Sequence, residues 1–567
     1  MNSASITPSH VETAHWERTR ERYIDWLAFW GEASTIKSEL LWHGFSLWWC
    51  SNLVQKDAEV NKAWYEKLHA RLNGVLPYAV FETHAVKQLL LLAKLFIVDA
   101  LKWALVKLLF RRQRLPDEQT IWFHSLASNI RREEGIACDR MYSKAHLLDV
   151  AYGIKSGYAI SLTPGLKDLL APFLFKRKME ALFFDIQREV LVLNAFLNFR
   201  DIVQVHASLF AKWMKFRKHA RDSEFRDGFQ IDGIRCDDIL IEELERSFFG
   251  PFQWSLLNAI SCQKWLEKFA RPQLIVTYAE TVALLRPIYF FSKKANSKHR
   301  FISIQHANFI KNKLFLYHRA SEFAQQGDWD GVHSSPMPDY YFVQGQHFKR
   351  ALEQYYPASR TQIIGCLKYD QFVTVLAARR QYEVECRSTL GGDPAQKIML
   401  ITPSVNDLRD ILQIFAGAAL PAGWRVIISP HPFLSLDGYR KIIHEMNIKF
   451  SLEFSPGLPT YKLLTVADLV ICGYSAVAIE AAFFGVRSVR LFSNSTCPQF
   501  DDEPEIPSFS NKEDFWRWFD VNSQNPKNSQ QIGSETARLV TDYFYKIDGK
   551  SANRLWDGIL PIAHTFA

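Results

Sequence analysis

The sequence predicts an α/β protein of two facing domains with parallel sheets, preceded by a helical element. Three observations predict it. The chain has 567 residues, enough for two large cores plus an accessory element. From about residue 272 short apolar runs alternate with amphipathic ones, the pattern of parallel strands joined by helices. The first 115 residues lack that alternation and are rich in Trp and Leu.

Composition narrows the class. With 48% hydrophobic and 23% charged residues, disordered, collagen-like and low-complexity chains are excluded. Lys and Arg number 68 against 60 for Asp and Glu, and no long basic block concentrates the excess, so nucleic acid is not an expected partner. The eight cysteines (Cys50, Cys138, Cys236, Cys262, Cys366, Cys386, Cys472 and Cys497) form no CxxC pair, which reads as reduced thiols in a cytosolic protein. No apolar signal-peptide core opens the sequence, so a cytoplasmic location is expected.

Residues 1–115 are expected to be helical. Their most apolar stretch, Val86 to Phe110, is interrupted by Lys94, Asp99, Lys102 and Lys107, which argues against a transmembrane span. Arg111, Arg112 and Arg114 follow it, as in helices that lie in an anionic interface. Two expectations stand: an amphipathic helix packed on its own protein, or peripheral contact through 86–114 with the cytoplasmic face of the inner membrane.

Residues 116–370 are expected to form the first domain. Its strands are Thr120–His124, Tyr158–Leu162, Gln273–Thr277, Arg300–Ile304, Tyr340–Val343 and Thr361–Ile364, with 166–220 as a helical insertion. Residues 371–545 are expected to form the second, with strands Lys397–Ile401, Arg425–Ile428, Phe450–Phe454, Leu469–Cys472 and Ser488–Leu491. Both domains read as Rossmann-like. Residues 546–567 read as a tail.

In open parallel sheets ligands bind at the carboxyl ends of strands, so the residues there are the candidates. Ser429-Pro-His431-Pro432 follows one strand; an imidazole held between two prolines suits donation to a phosphate oxygen, although a structural loop histidine reads the same way. Ser475 and Ala476 follow another strand and start a helix, where Ser475 could cap the helix or help hold an anion. Glu480, on that helix, could accept from ribose hydroxyls. In the first domain Glu280 and His306 fall on consecutive loops, and either could deprotonate an acceptor hydroxyl. Lys368, also after a strand, could approach the donor. Asp328 and Asp330 share a polar loop and make a weak metal candidate. HExxH, zinc spacing, GxSxG, P-loop and GxGxxG are all absent, so no metal or resident cofactor is expected.

The segments SIQHANF (303–309), PMPDYYFVQG (336–345), IIGCLKYD (363–370), ISPHPF (428–433) and ADLVICGYSAVAIEAAFFG (467–485) together resemble the GT-B glycosyltransferases of bacterial surface carbohydrate synthesis. The HP and Ser pair is similar to that of bacterial sialyl- and polysialyltransferases, and to that of CDP-glycerol glycerophosphotransferases. The resemblance implies a GT-B-like fold, with His431 and Ser475 on the donor phosphate and Glu480 near the ribose. It places Glu280 where the sialyltransferases carry their base, although Tyr278-Ala-Glu280-Thr281 lacks the usual acidic-acidic-Gly triplet. His306 matches the base-like histidine of the glycerophosphotransferases, and the resemblance implies that 514–544 holds the helix that crosses back to the first domain.

The expected function is transfer of an acidic sugar, of nonulosonic acid or Kdo type, from a CMP-sugar to a surface glycan or lipid-linked precursor such as those of lipopolysaccharide or capsule. Alternatives are a CDP-glycerol or polyol phosphotransferase, a UDP-sugar glycosyltransferase or sugar-nucleotide epimerase, and an inactive scaffold of a polysaccharide-assembly complex.

Overall fold

The computed structural model describes residues 10–565 except 34, 59–60, 80–84, 111–112, 114, 116–120, 134–135, 144, 163–175, 177–188, 279–283, 307–310, 324–328, 432–433, 493–502 and 525–528. Glu280, Pro432, Asp328 and Arg111, Arg112 and Arg114 therefore lie outside the described residues.

The chain opens with helices α1 (His10–Ala33), α2 (Lys62–Leu72) and α3 (Ala85–Phe110). A parallel sheet of seven strands follows: β1 (Ile121–Leu126), β2 (Ser156–Ser161), β3 (Val190–Val192), β4 (Leu274–Tyr278), β5 (Arg300–Ile304), β6 (Tyr340–Val343) and β7 (Thr361–Ile363). Their order across the sheet is β7-β6-β5-β4-β1-β2-β3. Helices α4 (Phe199–His219) and α5 (Pro251–Leu266) lie between β3 and β4 in sequence, and α6 (Gln346–Leu352) follows β6.

The second sheet has six parallel strands: β8 (Lys397–Ile401), β9 (Trp424–Ile428), β10 (Leu452–Phe454), β11 (Leu469–Cys472), β12 (Arg487–Leu491) and β13 (Ser508–Phe509). Their order is β10-β9-β8-β11-β12-β13. Helix α7 (Leu408–Phe415) follows β8 and α8 (Val477–Phe483) follows β11; α9 (Ser529–Phe544) and α10 (Ser551–His564) close the chain. Both sheets reverse their winding at the centre, between β1 and β4 and between β8 and β11, and a crevice forms outside the carboxyl ends at such a point. The architecture is GT-B-like.

The strands are apolar on both faces because helices cover both. In β8, Met399 and Ile401 enter one hydrophobic cluster while Ile398 and Leu400 enter the other, the two-residue period of a strand buried on both sides. Strand β3 falls in the stretch expected to be helical, and β13 was not expected. Each is a two- or three-residue edge strand, too short to show a period.

The helical element expected over 1–115 is not a separate body. Tyr23, Trp48, Trp49 and Tyr65 share one core with Ile121, Trp122, Ile275 and Phe301 of the first sheet. The chain leaves this core around 364–372, where Ile364 and Leu367 belong to the first core and Cys366, Tyr369 and Phe372 to the second. It returns one helix later than expected. Helix α9 places Leu539, Tyr543 and Phe544 in the second core, whereas Leu555, Trp556, Ile559 and Ile562 of α10 enter the first. The residues read as a tail thus contain an amphipathic helix, its apolar positions at one-, three- and four-residue steps. The Asp370 carboxylate accepts from the Ser551 and Ala552 N–H groups at 3.0 Å each and so caps α10 from across the crossing.

Six cysteine thiols are described, all buried and unpaired with one another; burial pushes those of Cys50, Cys236, Cys262, Cys366 and Cys472 up to about 12. No described helix is long and apolar enough to cross a membrane.

Gly345, between β6 and α6, marks the closest approach of α9 to the first domain. A Cβ there would stand 2.3 Å from the Asp542 carbonyl oxygen and 2.5 Å from that of Tyr543. Gly345→Ala is expected to push α9 off the first domain and cost about 1–3 kcal/mol. Scanning calorimetry should show a lowered melting temperature; an unchanged one would mean α9 is not tightly seated.

Candidate functional site

The second-domain wall of the crevice is built from three strand ends. Thr402 follows β8, Ser429 and His431 follow β9, and Gly473, Tyr474 and Ser475 follow β11. Strands β9 and β11 flank β8, so the loops carrying His431 and Ser475 stand about 10 Å apart, two strand spacings.

A buried carboxylate joins the loops that follow β8 and β11. Asp407 accepts from the Ser404 N–H at 2.7 Å with one oxygen and from the Tyr474 N–H at 2.9 Å with the other. It is fully buried, and burial, opposed by those two N–H groups, pushes its carboxyl up to about 6. Gly473 makes room for it, since a Cβ there would lie 2.4 Å from Asp407 Oδ2. Thr402 adds a buried hydroxyl that has no partner among the described residues.

His431 is half-buried, and its N–H donates to the buried Tyr439 hydroxyl at 2.7 Å, which fixes the loop. Burial first, and then the Arg140 guanidinium, hold its imidazole below the ordinary histidine value. Arg140 belongs to the first domain, so its charge acts on the histidine from the other domain. The Ser429 hydroxyl pairs with that of Thr460 at 3.1 Å. Ser475 is half-buried; its oxygen accepts from the Val477 N–H at 3.3 Å, a capping contact that leaves its proton free to donate. Ala476 lies half-buried beside it.

Glu480 points elsewhere. Its Oε1 accepts from the Tyr369 hydroxyl and from Lys368 Nζ at 3.2 Å, and Lys368 also lies over the Tyr369 ring. The structure thus joins Glu480 and Lys368 to each other at the crossing between the domains.

On the first-domain wall, His306 is half-buried beyond β5, its ring 5.8 Å from that of Tyr278 at the end of β4. Burial and the Asp139 carboxylate push the Tyr278 hydroxyl up, against a hydrogen bond with the Asn129 side chain. Asp139 is itself buried and ends the antiparallel hairpin Ile130–Glu133 and Ile136–Asp139, which also delivers Arg140. Away from the crevice, Asp330 Oδ1 accepts from the N–H groups of Val332, His333 and Ser334 at 2.8, 2.8 and 3.0 Å and so caps a turn.

No protein-family model matches the chain, and no curated protein does. Among solved structures it is similar to the UDP-GlcNAc 2-epimerase of Neisseria meningitidis bound to UDP-GlcNAc, with 12% identity, 78% of this chain and 100% of that one covered, and a TM-score of 0.44. It is similar to the wall teichoic acid polymerase TagF, with 11% identity, 86% and 99% covered, and a TM-score of 0.38. The Anabaena protein HepE in complex with UDP-glucose matches with 11% identity, 78% and 100% covered, and a TM-score of 0.40. None of them carries a residue role over to this chain.

Reasoning from sequence missed Asp407, Thr402, Asp139 and Arg140. Thr402 directly follows a strand that was read correctly, so the rule that located Ser475 locates it too. Asp407 is expected to be indispensable to the loop geometry. Asp407→Ala orphans two buried N–H groups, each costing about 1–3 kcal/mol. The melting temperature should fall by several degrees and nucleotide-induced stabilisation should disappear; retention of both would contradict the bridging role.

Proposed function

We propose that the chain is a GT-B glycosyltransferase that moves an acidic sugar from a CMP-sugar donor to a surface glycan or lipid-linked acceptor. The observation that carries this reading is the placement of His431 and Ser475 at two strand ends of the second sheet, on either side of β8, with the positive charge of Arg140 from the first domain acting on His431. A donor phosphate between them would be met by an imidazole, a serine hydroxyl and a guanidinium, donors placed to stabilise the charge that grows on a departing nucleotide. The acceptor hydroxyl would be deprotonated from the first-domain wall, by His306 or by Glu280. Closure of the two domains would exclude water from the donor.

A second reading, transfer of a polyol phosphate from a CDP-polyol, is favoured by the position of His306 beside Tyr278 at the mouth of the first sheet. The two readings separate by turnover. Purified protein given CMP-sialic acid, CMP-Kdo or CDP-glycerol should release CMP from one of the CMP-sugars; release from CDP-glycerol alone would replace the first reading with the second. In a thermal-shift assay CMP should raise the melting temperature by a few degrees. That shift should vanish in His431→Ala and shrink in Ser475→Ala.

The pH dependence follows from His431. A bound phosphate favours the protonated imidazole, whose free value lies below the ordinary one, so binding takes up a proton. Affinity for CMP should therefore rise as pH falls from about 7.5 to about 6, by roughly threefold to tenfold beyond any change in His431→Ala. Comparison with that variant cancels the nucleotide's own titration. Equal slopes in calorimetric titrations of the two proteins would remove His431 from the phosphate.

A further inference from the structure

Helix α3 is amphipathic in the reverse sense. Several of its polar side chains face the protein: Gln88 donates to Glu245 at 2.6 Å, the Trp103 indole to the Leu197 carbonyl at 3.0 Å, and Lys107 to the Ala195 carbonyl at 2.7 Å. Asp99 also points inward, 2.8 Å from His206 Nε2 and bonded to Gln253. Leu92, Val98, Val106 and Phe110 are buried with them, but a second set of apolar side chains faces solvent. Val86, Leu90, Ile97, Leu101 and Leu108 are between 48% and 74% exposed. At 100° per residue they fall within about 60° of one another, a seam about 33 Å long.

Helix α4 runs antiparallel beside α3. Trp103 meets Phe199 at 5.3 Å between ring centroids, and Phe96 meets His206 at 5.4 Å. It carries a matching seam of exposed Phe199, Val203, Phe210 and Met214. The two seams make one broad apolar face, larger than scattered surface leucines would produce.

Cations border this face. Lys87, Lys94, Arg200, Lys215 and Lys218 are exposed and make no ion pair among the described residues. The two carboxylates on these helices are both engaged, Asp99 with His206 and Asp201 with Lys264. An apolar strip edged by uncompensated cations is complementary to an anionic interface, where hydrocarbon lies just beneath phosphate. A second copy fits poorly: a two-fold contact would set this basic border against itself.

We propose that the outward face of α3 and α4 docks on an anionic lipid bilayer, with both helices lying along its surface. The proposal is independent of which donor the crevice takes. It extends the expectation for 86–114 to a second helix, and it does not need the arginines that follow α3.

Co-sedimentation of the full chain with sucrose-loaded vesicles tests it. Vesicles with about 30 mol% phosphatidylglycerol should bind the protein about tenfold better than pure phosphatidylcholine, with the difference shrinking between about 0.1 M and about 0.5 M NaCl. The triple variant Leu90→Ser, Ile97→Ser and Leu101→Ser, all exposed positions, should melt like the wild type and lose about tenfold in partitioning. Lys94→Glu with Lys215→Glu should lose the preference for phosphatidylglycerol. Wild-type protein that stays in the supernatant with both vesicle types would overturn the proposal, as would equal binding by the triple variant. A wild-type dimer in light scattering that the triple variant turns into a monomer would assign the face to a second copy instead.

Discussion

Two carboxylates hold the place where the chain crosses between its cores, and the crevice depends on them. Asp370 caps α10 as the chain returns, and Glu480 grips Tyr369 and Lys368 as it leaves. The Arg554 guanidinium, on α10, donates to the Ile364 carbonyl at 2.8 Å and ties the returning strand of chain to the departing one. The position of Glu480 follows from this role. A carboxylate so nearly buried needs partners, and a buried tyrosine hydroxyl with a neighbouring ammonium supplies them.

The donor-side wall obeys a related constraint. Strand ends leave backbone N–H groups without sheet partners, and those at Ser404 and Tyr474 are taken by one buried side chain, Asp407. Its desolvation is severe enough to shift its titration toward neutrality, yet the two N–H groups make the burial tolerable. The cost falls on Gly473, which can carry no side chain. Lys62 of α2 reaches Asp410 on α7, so the N-terminal helices brace this wall as well as the first core.

What was legible in the sequence divides along these lines. Strands β5, β6, β8 and β11 coincide residue for residue with the expectation, because burial on both faces writes a continuous apolar run. His431, Ser475 and His306 are candidates by one rule, that ligands meet strand ends, and all three do follow strands. Asp407, Asp139 and Arg140 were not found, since each gains its role from a neighbour remote in sequence: Tyr474 for Asp407, Tyr278 for Asp139, His431 for Arg140. A local pattern cannot report such a meeting. The resemblance implies a return crossing in 514–544, and α9 does touch the first domain, where Asp542 pairs with Arg350; the chain enters the first core one helix later. The apolar spacing of Leu555, Trp556, Ile559 and Ile562 pointed to α10.

Helix α3 shows how a local pattern and a tertiary environment can disagree to some purpose. The charges through its centre correctly spoke against a membrane span, but the direction they face could not be read from their spacing. In the structure three of the polar positions are turned inside, where Asp99, Gln88 and Lys107 join side chains and carbonyls of the protein. One set of apolar positions is left facing solvent. A sequence selected only for folding in water would place the opposite residues there, and single exposed leucines are common enough to need no reason. Here the mismatch is contiguous over six turns, continues onto α4, and is bordered by lysines without partners among the described residues. A conflict confined to one face, with charge arranged around it, is the signature of a surface that meets something other than water.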